Sequence, residues 1–83
     1  MKIQIKYFAS IREAMGTSSE TLETSATTLA ELRDVLAARP GAAGEALARG
    51  RAVRMALNQV MSDESAALYD GAEVAFFPPV TGG

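Results

Sequence analysis

Few residues in this chain could do chemistry. It contains no cysteine and no histidine, which removes the activated thiol, the commonest general base and the usual ligands of a zinc site. Asp, Glu, Lys and Tyr are left for acid–base work, so conventional hydrolase or oxidoreductase chemistry by this chain alone is not expected. The segment with a distinct chemical prospect is the last one, Phe76-Phe77-Pro78-Pro79-Val80-Thr81-Gly82-Gly83. Its two prolines favour an extended, polyproline-like start with little conformational freedom. Its two glycines carry no Cβ, so the backbone there can pass a slot too narrow for any side chain. At about 3.3 Å per residue, the stretch from Pro78 to Gly83 reaches roughly 20 Å beyond a globule. That would carry the α-carboxylate of Gly83 into another protein's active site.

An α-carboxyl has an ordinary pKa of about 3.3–3.7, so at neutral pH it is ionised and a poor electrophile. Reaction at its carbon requires activation, most simply by ATP to an acyl-adenylate. The activated carbonyl can then accept sulfur and become a thiocarboxylate, whose sulfur is anionic and nucleophilic, as an activated cysteine is. A chain without cysteine can carry reactive sulfur in this way. A random chain ends in Gly-Gly about once in 200 at average glycine usage. The Pro-Pro-Val-Thr spacer, set directly behind a good strand, turns that pair into a stiff-then-flexible arm.

The elements that must hold this arm can be read from periodicity. Met1, Ile3, Ile5 and Tyr7 alternate with Lys2, Gln4, Lys6 and Phe8, a strand pattern. Ser10-Ile11-Arg12-Glu13 has the form of a capping box opening a short helix that Gly16 stops. Ser18 to Ser25 is polar and Thr-rich, with Leu22 as its one sizeable anchor, and reads as a strand near a sheet edge. Thr28-Leu29-Ala30-Glu31 is a second capping box, and Leu29, Leu32, Val35 and Leu36 give the main helix its apolar stripe before Pro40-Gly41 ends it. Ala42 to Arg49 suggests a further short helix, weakened by Gly44. Val53, Met55 and Leu57 mark a third strand, Asn58-Gln59 a tight connection, and Val60-Met61 the return. Asp70-Gly71 is a turn signal, Asp70 being a turn residue, and Ala72 to Phe77 is the last strand, ended by Pro78. The expected fold class is α+β, a mixed sheet with one main helix across one face. The expected division is one domain over residues 1–77 and an extended, flexible tail over 78–83.

Charge narrows the partners. The chain of 83 residues carries a formal net charge of −2 and a sequence pI near 5.0, the opposite of a nucleic-acid footprint. No apolar stretch approaches the roughly 20 residues of a membrane span, and a cytoplasmic protein is expected. If Val74 and Phe76 face the helix, Ala75 and Phe77 face away; with Val60 inward, Met61 points outward beside them. Phe77, Met61 and Pro79 are therefore the expected docking patch. Asp63 and Glu64 read as a solvated loop, with no metal site expected, and Arg49, Arg51 and Arg54 as a solvated basic cluster.

Tyr7-Phe8-Ala9, Ile11-Arg12-Glu13, Leu57-Asn58-Gln59 and the block from Asp70 to Gly83 together resemble the MoaD family of ubiquitin-like β-grasp sulfur carriers, the small subunits of molybdopterin synthase. The resemblance spans essentially the whole chain. It implies a β-grasp fold and a chain that is not catalytic alone. It implies that an ATP-dependent, E1-like activating enzyme adenylates Gly83, and that a cellular sulfur source converts it to the thiocarboxylate. It further implies that Gly82, Thr81, Val80 and Pro79 thread a channel of the large synthase subunit, with two copies expected on a large-subunit dimer. Sulfur would then pass to cyclic pyranopterin monophosphate, the chain itself binding no cofactor. The same tail chemistry also suits a carrier for thiazole or cysteine synthesis, or a ubiquitin-like protein modifier.

Overall fold

The computed structural model describes residues 1–79. The element order is β1 (Lys2–Tyr7), α1 (Ala9–Met15), β2 (Ser19–Glu23), α2 (Leu29–Ala37), α3 (Gly41–Ala46), β3 (Arg54–Leu57), β4 (Val60–Ser62) and β5 (Glu73–Phe77). The strands form one mixed sheet in the order β2-β1-β5-β3-β4. Only the central pair, β1 with β5, is parallel; β1–β2, β3–β5 and β3–β4 are antiparallel. The alternation read along β1 is realised, with Ile3, Ile5 and Tyr7 buried and Lys2, Gln4 and Lys6 exposed. Val74 and Phe76 of β5 and Met55 of β3 join them on the inner face, where Ile11, Leu29, Leu32, Leu36 and Leu47 complete one core.

The chain passes from β1 into α1 without the capping box expected at Ser10. Phe8 is the N-cap, no side chain caps the helix, and Ser10 already lies in its first turn. The reason is the sheet: the Phe8 N–H donates to the Phe76 carbonyl at 3.1 Å, and the Phe8 carbonyl accepts from Ile11 and Arg12. The backbone thus turns helical directly off the strand end. Gly16 stops the helix as expected, at φ 78°, with its N–H on the Arg12 carbonyl; that left-handed conformation favours glycine.

α2 begins at the second capping motif, where the Thr28 hydroxyl accepts from the Glu31 N–H at 3.2 Å. The Glu31 carboxylate reaches one residue further back than a standard box, to the N–H and hydroxyl of Thr27, both at 2.7 Å. Within the helix one expectation is corrected. Val35 is 45% exposed, and Arg33, 5% exposed, takes the fourth place on the buried face. The stripe is therefore Leu29, Leu32, Arg33 and Leu36, the i, i+3, i+4, i+7 spacing of a face turned to a core.

α3 forms over Gly41–Ala46, and Gly44 is buried within it. A Cβ at Gly44 would collide with the backbone carbonyl oxygens of Arg39 and Ala37. The glycine that weakens the helix by propensity is what lets α3 lie against the end of α2. Asn58 and Gln59 both adopt positive φ, 49° and 68°, the two-residue turn whose twist matches an antiparallel hairpin. The Asn58 side-chain oxygen accepts from the Glu73 N–H at 3.0 Å, tying that turn to β5. The Asp70 carboxylate accepts from the Lys2 N–H at 2.7 Å, so the turn residue also anchors the start of β1.

Candidate functional site

The site is built around the place where the chain leaves the sheet. β5 is the middle strand, with β1 on one side and β3 on the other, so Phe77 is paired up to the last residue before Pro78. Phe76, fully buried, lies opposite Tyr7 in the parallel register. The two rings stack with centroids 6.3 Å apart and planes 19° from parallel. Below them the Tyr7 hydroxyl donates to Glu20 at 2.8 Å, and Arg39 grips the same carboxylate with both terminal nitrogens, at 2.8 and 2.7 Å. The two-pronged Arg39 contact holds the Glu20 carboxyl below the ordinary carboxylate range, helped by the Tyr7 hydroxyl and opposed by burial. Burial first, then the hydrogen bond to Glu20 and that carboxylate's charge, push the Tyr7 hydroxyl far above the ordinary phenol value. The three side chains tie β1, β2 and the end of α2 together beneath the exit point.

Pro78 and Pro79 are half-buried. Pro78 borders a cavity of about 280 Å³ that it shares with Ser10, Ile11 and Ala14 of α1, Ala42, Glu45 and Ala46 of α3, and Arg51 and Ala52. Four of those lining residues are alanines. The residues expected to react and to thread a partner, Val80, Thr81, Gly82 and Gly83, lie outside the described residues.

Phe77 and Met61 sit on the outer face, as expected, because Phe77 opposes Arg54 while Met61 opposes Ala56, itself opposite Ala75. They are diagonal neighbours across β3 rather than in direct register. Phe77 is half-buried and Met61 is 56% exposed. Val60 faces the helix side by register, opposite Leu57, yet it is 65% exposed. At the sheet edge no helix extends over it, so the inward position is not a buried one. Beside Met61 a broad groove of about 650 Å³ runs along Val53, Arg54, Met55, Ser62, Asp63, Glu64 and Ser65.

Asp63 and Glu64 do not converge. The Asp63 carboxylate accepts from the Ser65 N–H at 2.9 Å, while Glu64 pairs with Arg33 at 3.2 Å and Arg49 at 3.3 Å. Among the described residues, no group of three or more acidic side chains could hold a metal ion. No helix among them is long and apolar enough to cross a membrane. The basic cluster disperses too. Arg49 grips Asp34 with two nitrogens at 3.0 Å, Arg51 leans on the Glu45 carbonyl, and Arg54 stands on the outer face.

The residue that sequence reasoning missed is Arg33. Its guanidinium donates to the carbonyls of Leu47, Ala48 and Arg51 at 2.8, 2.7 and 2.7 Å, as well as to Glu64. It holds the connection from α3 to β3, and with it one wall of the Pro78 cavity. The signal was its place at i+4 from Leu29.

A profile of the ThiS family matches residues 5–83. The chain belongs to the ThiS family. The molybdopterin synthase sulfur carrier subunit of Escherichia coli (strain K12) is 40% identical over 81 residues, covering 98% of this chain and 99% of that one. The fold agrees with a putative molybdopterin converting factor subunit 1 from Pyrococcus furiosus, at TM-score 0.79 and 25% identity over 96% of this chain and 99% of the other. It agrees also with a chain from a complex of subunits 1 and 2 of molybdopterin-converting factor from Helicobacter pylori, at TM-score 0.69, 27% identity and full coverage of both chains. The expected α+β, ubiquitin-like β-grasp is the fold of this ThiS-family chain.

Proposed function

We propose that this chain is the sulfur carrier subunit of a molybdopterin synthase. The observation that carries the reading is the end-to-end match to a carrier subunit at 40% identity. The exit of the arm from a doubly paired central strand supports it. In this reading residues 78–83 are the arm and Gly83 is the reacting residue. Its carboxylate oxygen attacks the α-phosphate of ATP on an E1-like activating enzyme, releasing pyrophosphate. A sulfur nucleophile then displaces AMP from the acyl carbon and leaves a thiocarboxylate. Pro79, Val80, Thr81 and Gly82 thread the large synthase subunit, where the sulfur attacks cyclic pyranopterin monophosphate; water then cleaves the acyl C–S bond of the resulting thioester, leaving the sulfur on the substrate and restoring the Gly83 carboxylate. The acid–base groups and the substrate pocket belong to that partner, and the chain is not a catalyst by itself. Two copies would serve a large-subunit dimer in the cytoplasm.

Phe77, Met61 and Pro79 form the apolar centre of the docking face in this reading, in line with the enrichment of aromatic and Met side chains at interface cores. The test is intact-mass spectrometry. Co-expressed with its activating enzyme, the chain should gain the mass difference between sulfur and oxygen, and should then yield molybdopterin with the large subunit and precursor. A gain in mass without molybdopterin would point to thiazole or cysteine synthesis. A covalent ladder on cell proteins would point to a modifier.

A further inference from the structure

Phe77 is the last residue of β5 that the ladder holds. It lies opposite Arg54, the first residue of β3, and Pro78 and Pro79 beyond it have no N–H to donate. The root of the arm therefore takes its position from what packs around it. Pro78 shares its cavity with α1, with α3, and with Arg51 and Ala52 on the way from α3 into β3.

That last wall has little hold of its own. α3 spans six residues, and the N–H groups of Leu47, Ala48 and Arg51 bond only to the nearby carbonyls of Gly44, Glu45 and Ala48. Among the described residues, one side chain hydrogen-bonds the backbone of 47–51 to another element, and it is Arg33 of α2. Its Nε donates to the Leu47 carbonyl at 2.8 Å, and its Nη2 donates to the carbonyls of Ala48 and Arg51, both at 2.7 Å. The planar, many-donor guanidinium is what allows one side chain to span three carbonyls. Glu64 meets its charge from the remaining nitrogen at 3.2 Å, so no carbonyl is given up for the ion pair. A leucine at this position would suit the apolar face of α2, but it would leave the 47–51 backbone untethered.

We propose that Arg33 is a positioning residue for the reaction at Gly83: by tethering 47–51 it fixes the wall beside Pro78 that sets the heading of the arm. The role rests on the carrier reading and adds a residue to it. Over the roughly 20 Å that residues 78–83 can span, a swing of about 10° at Pro78 moves the end by about 3.5 Å. Reacting atoms must meet within about 3–3.5 Å, so such a swing removes the carboxylate from a productive pose. Docking does not need the wall, because Phe77 and Met61 are held by the strand ladders. Loss of the tether therefore lowers kcat and leaves the encounter with the partner intact.

Adenylation of the full chain by its activating enzyme, followed as ATP–pyrophosphate exchange with the chain as varied substrate, tests it. The temperature is one at which circular dichroism shows each variant folded. Arg33→Met should lower kcat by about 10-fold and Arg33→Lys by about 3-fold, with KM within about 2-fold of wild type. Leu22→Ala on β2 weakens the core away from the wall, and it should leave both constants within about 2-fold. Amide hydrogen exchange gives a readout apart from activity. In Arg33→Lys the Arg51 N–H, bonded to the Ala48 carbonyl at 2.9 Å, should lose protection while β1 keeps its own. Where Arg33→Met does not fold, Arg33→Lys decides by the same comparison. Wild-type kcat in a folded Arg33 variant, a rise in KM alone, an equal kcat loss in Leu22→Ala, or unchanged protection at Arg51 would overturn the proposal and leave the carrier reading standing. No exchange with the wild-type chain would instead bring down the carrier reading itself.

Discussion

The two sides of the sheet are built for different duties. On the β1–β5 side, Ile3, Ile5, Tyr7, Val74 and Phe76 are all but fully buried, and the polar network of Tyr7, Glu20 and Arg39 locks the strand ends. On the β3–β4 side, a three-residue edge strand leaves Val60 and Met61 largely in solvent. The first region spends its apolar residues on internal packing, while the second displays them. The contrast teaches that the packing and the display of apolar side chains are kept apart in this small domain. The chain leaves the sheet from the buried side's last strand, and the side that displays Val60 and Met61 lies next to it across β3.

Substitutions can break or sharpen that contrast. The largest effect is expected from Phe76→Ala, which removes the ring stacked on Tyr7 and opens a cavity in the core. It should cost about 3–5 kcal/mol in urea unfolding, leaving much of the chain unfolded at 37 °C. Next comes Glu20→Gln, at about 1–2 kcal/mol near neutral pH, because it removes charge-assisted bonds to Arg39. This variant also sharpens a pH signature. The folded Glu20 pKa is depressed, so its contribution is present above the unfolded value of about 4.3 and fades as pH falls through the folded value. Thermal melts from pH 6 down to about 2 should lose part of their slope in Glu20→Gln. The raised Tyr7 pKa acts at the other end: its contribution holds below about 10 and is lost as pH climbs past that ordinary value. The smallest effect on stability is expected at the edge, where Met61→Ser should shift unfolding by less than about 0.5 kcal/mol. A cost of several kcal/mol there would mean that the edge is core after all, and the contrast would fail.

Much of this division was legible from residue order. Period-2 alternation in β1 and β5 named the buried set, and Asn58-Gln59 and Asp70-Gly71 marked turns that form where expected. The arm's chemical prospect followed from residue types alone. What misled were positions where a side chain's chemistry and its location disagree. Arg33 has the spacing of a core residue and the charge of a surface one. Its carbonyl partners at Leu47, Ala48 and Arg51 come from a segment that no local pattern places beside α2. Val35 is apolar but sits off the stripe. Gly44 looks like a helix breaker until the close approach of Arg39 and Ala37 is seen. Ser10 carries a capping signature, yet the Phe8–Phe76 hydrogen bond starts the helix earlier. Each miss is a tertiary contact overriding a local preference.

The central place of β5 has a mechanical consequence. Tension applied beyond Pro78 runs along the strand axis and loads the hydrogen bonds to β1 and β3 together, in shear. An edge strand pulled from its end would instead peel away one bond at a time. A partner can therefore haul on the last residues of this chain without unravelling the body that bears them.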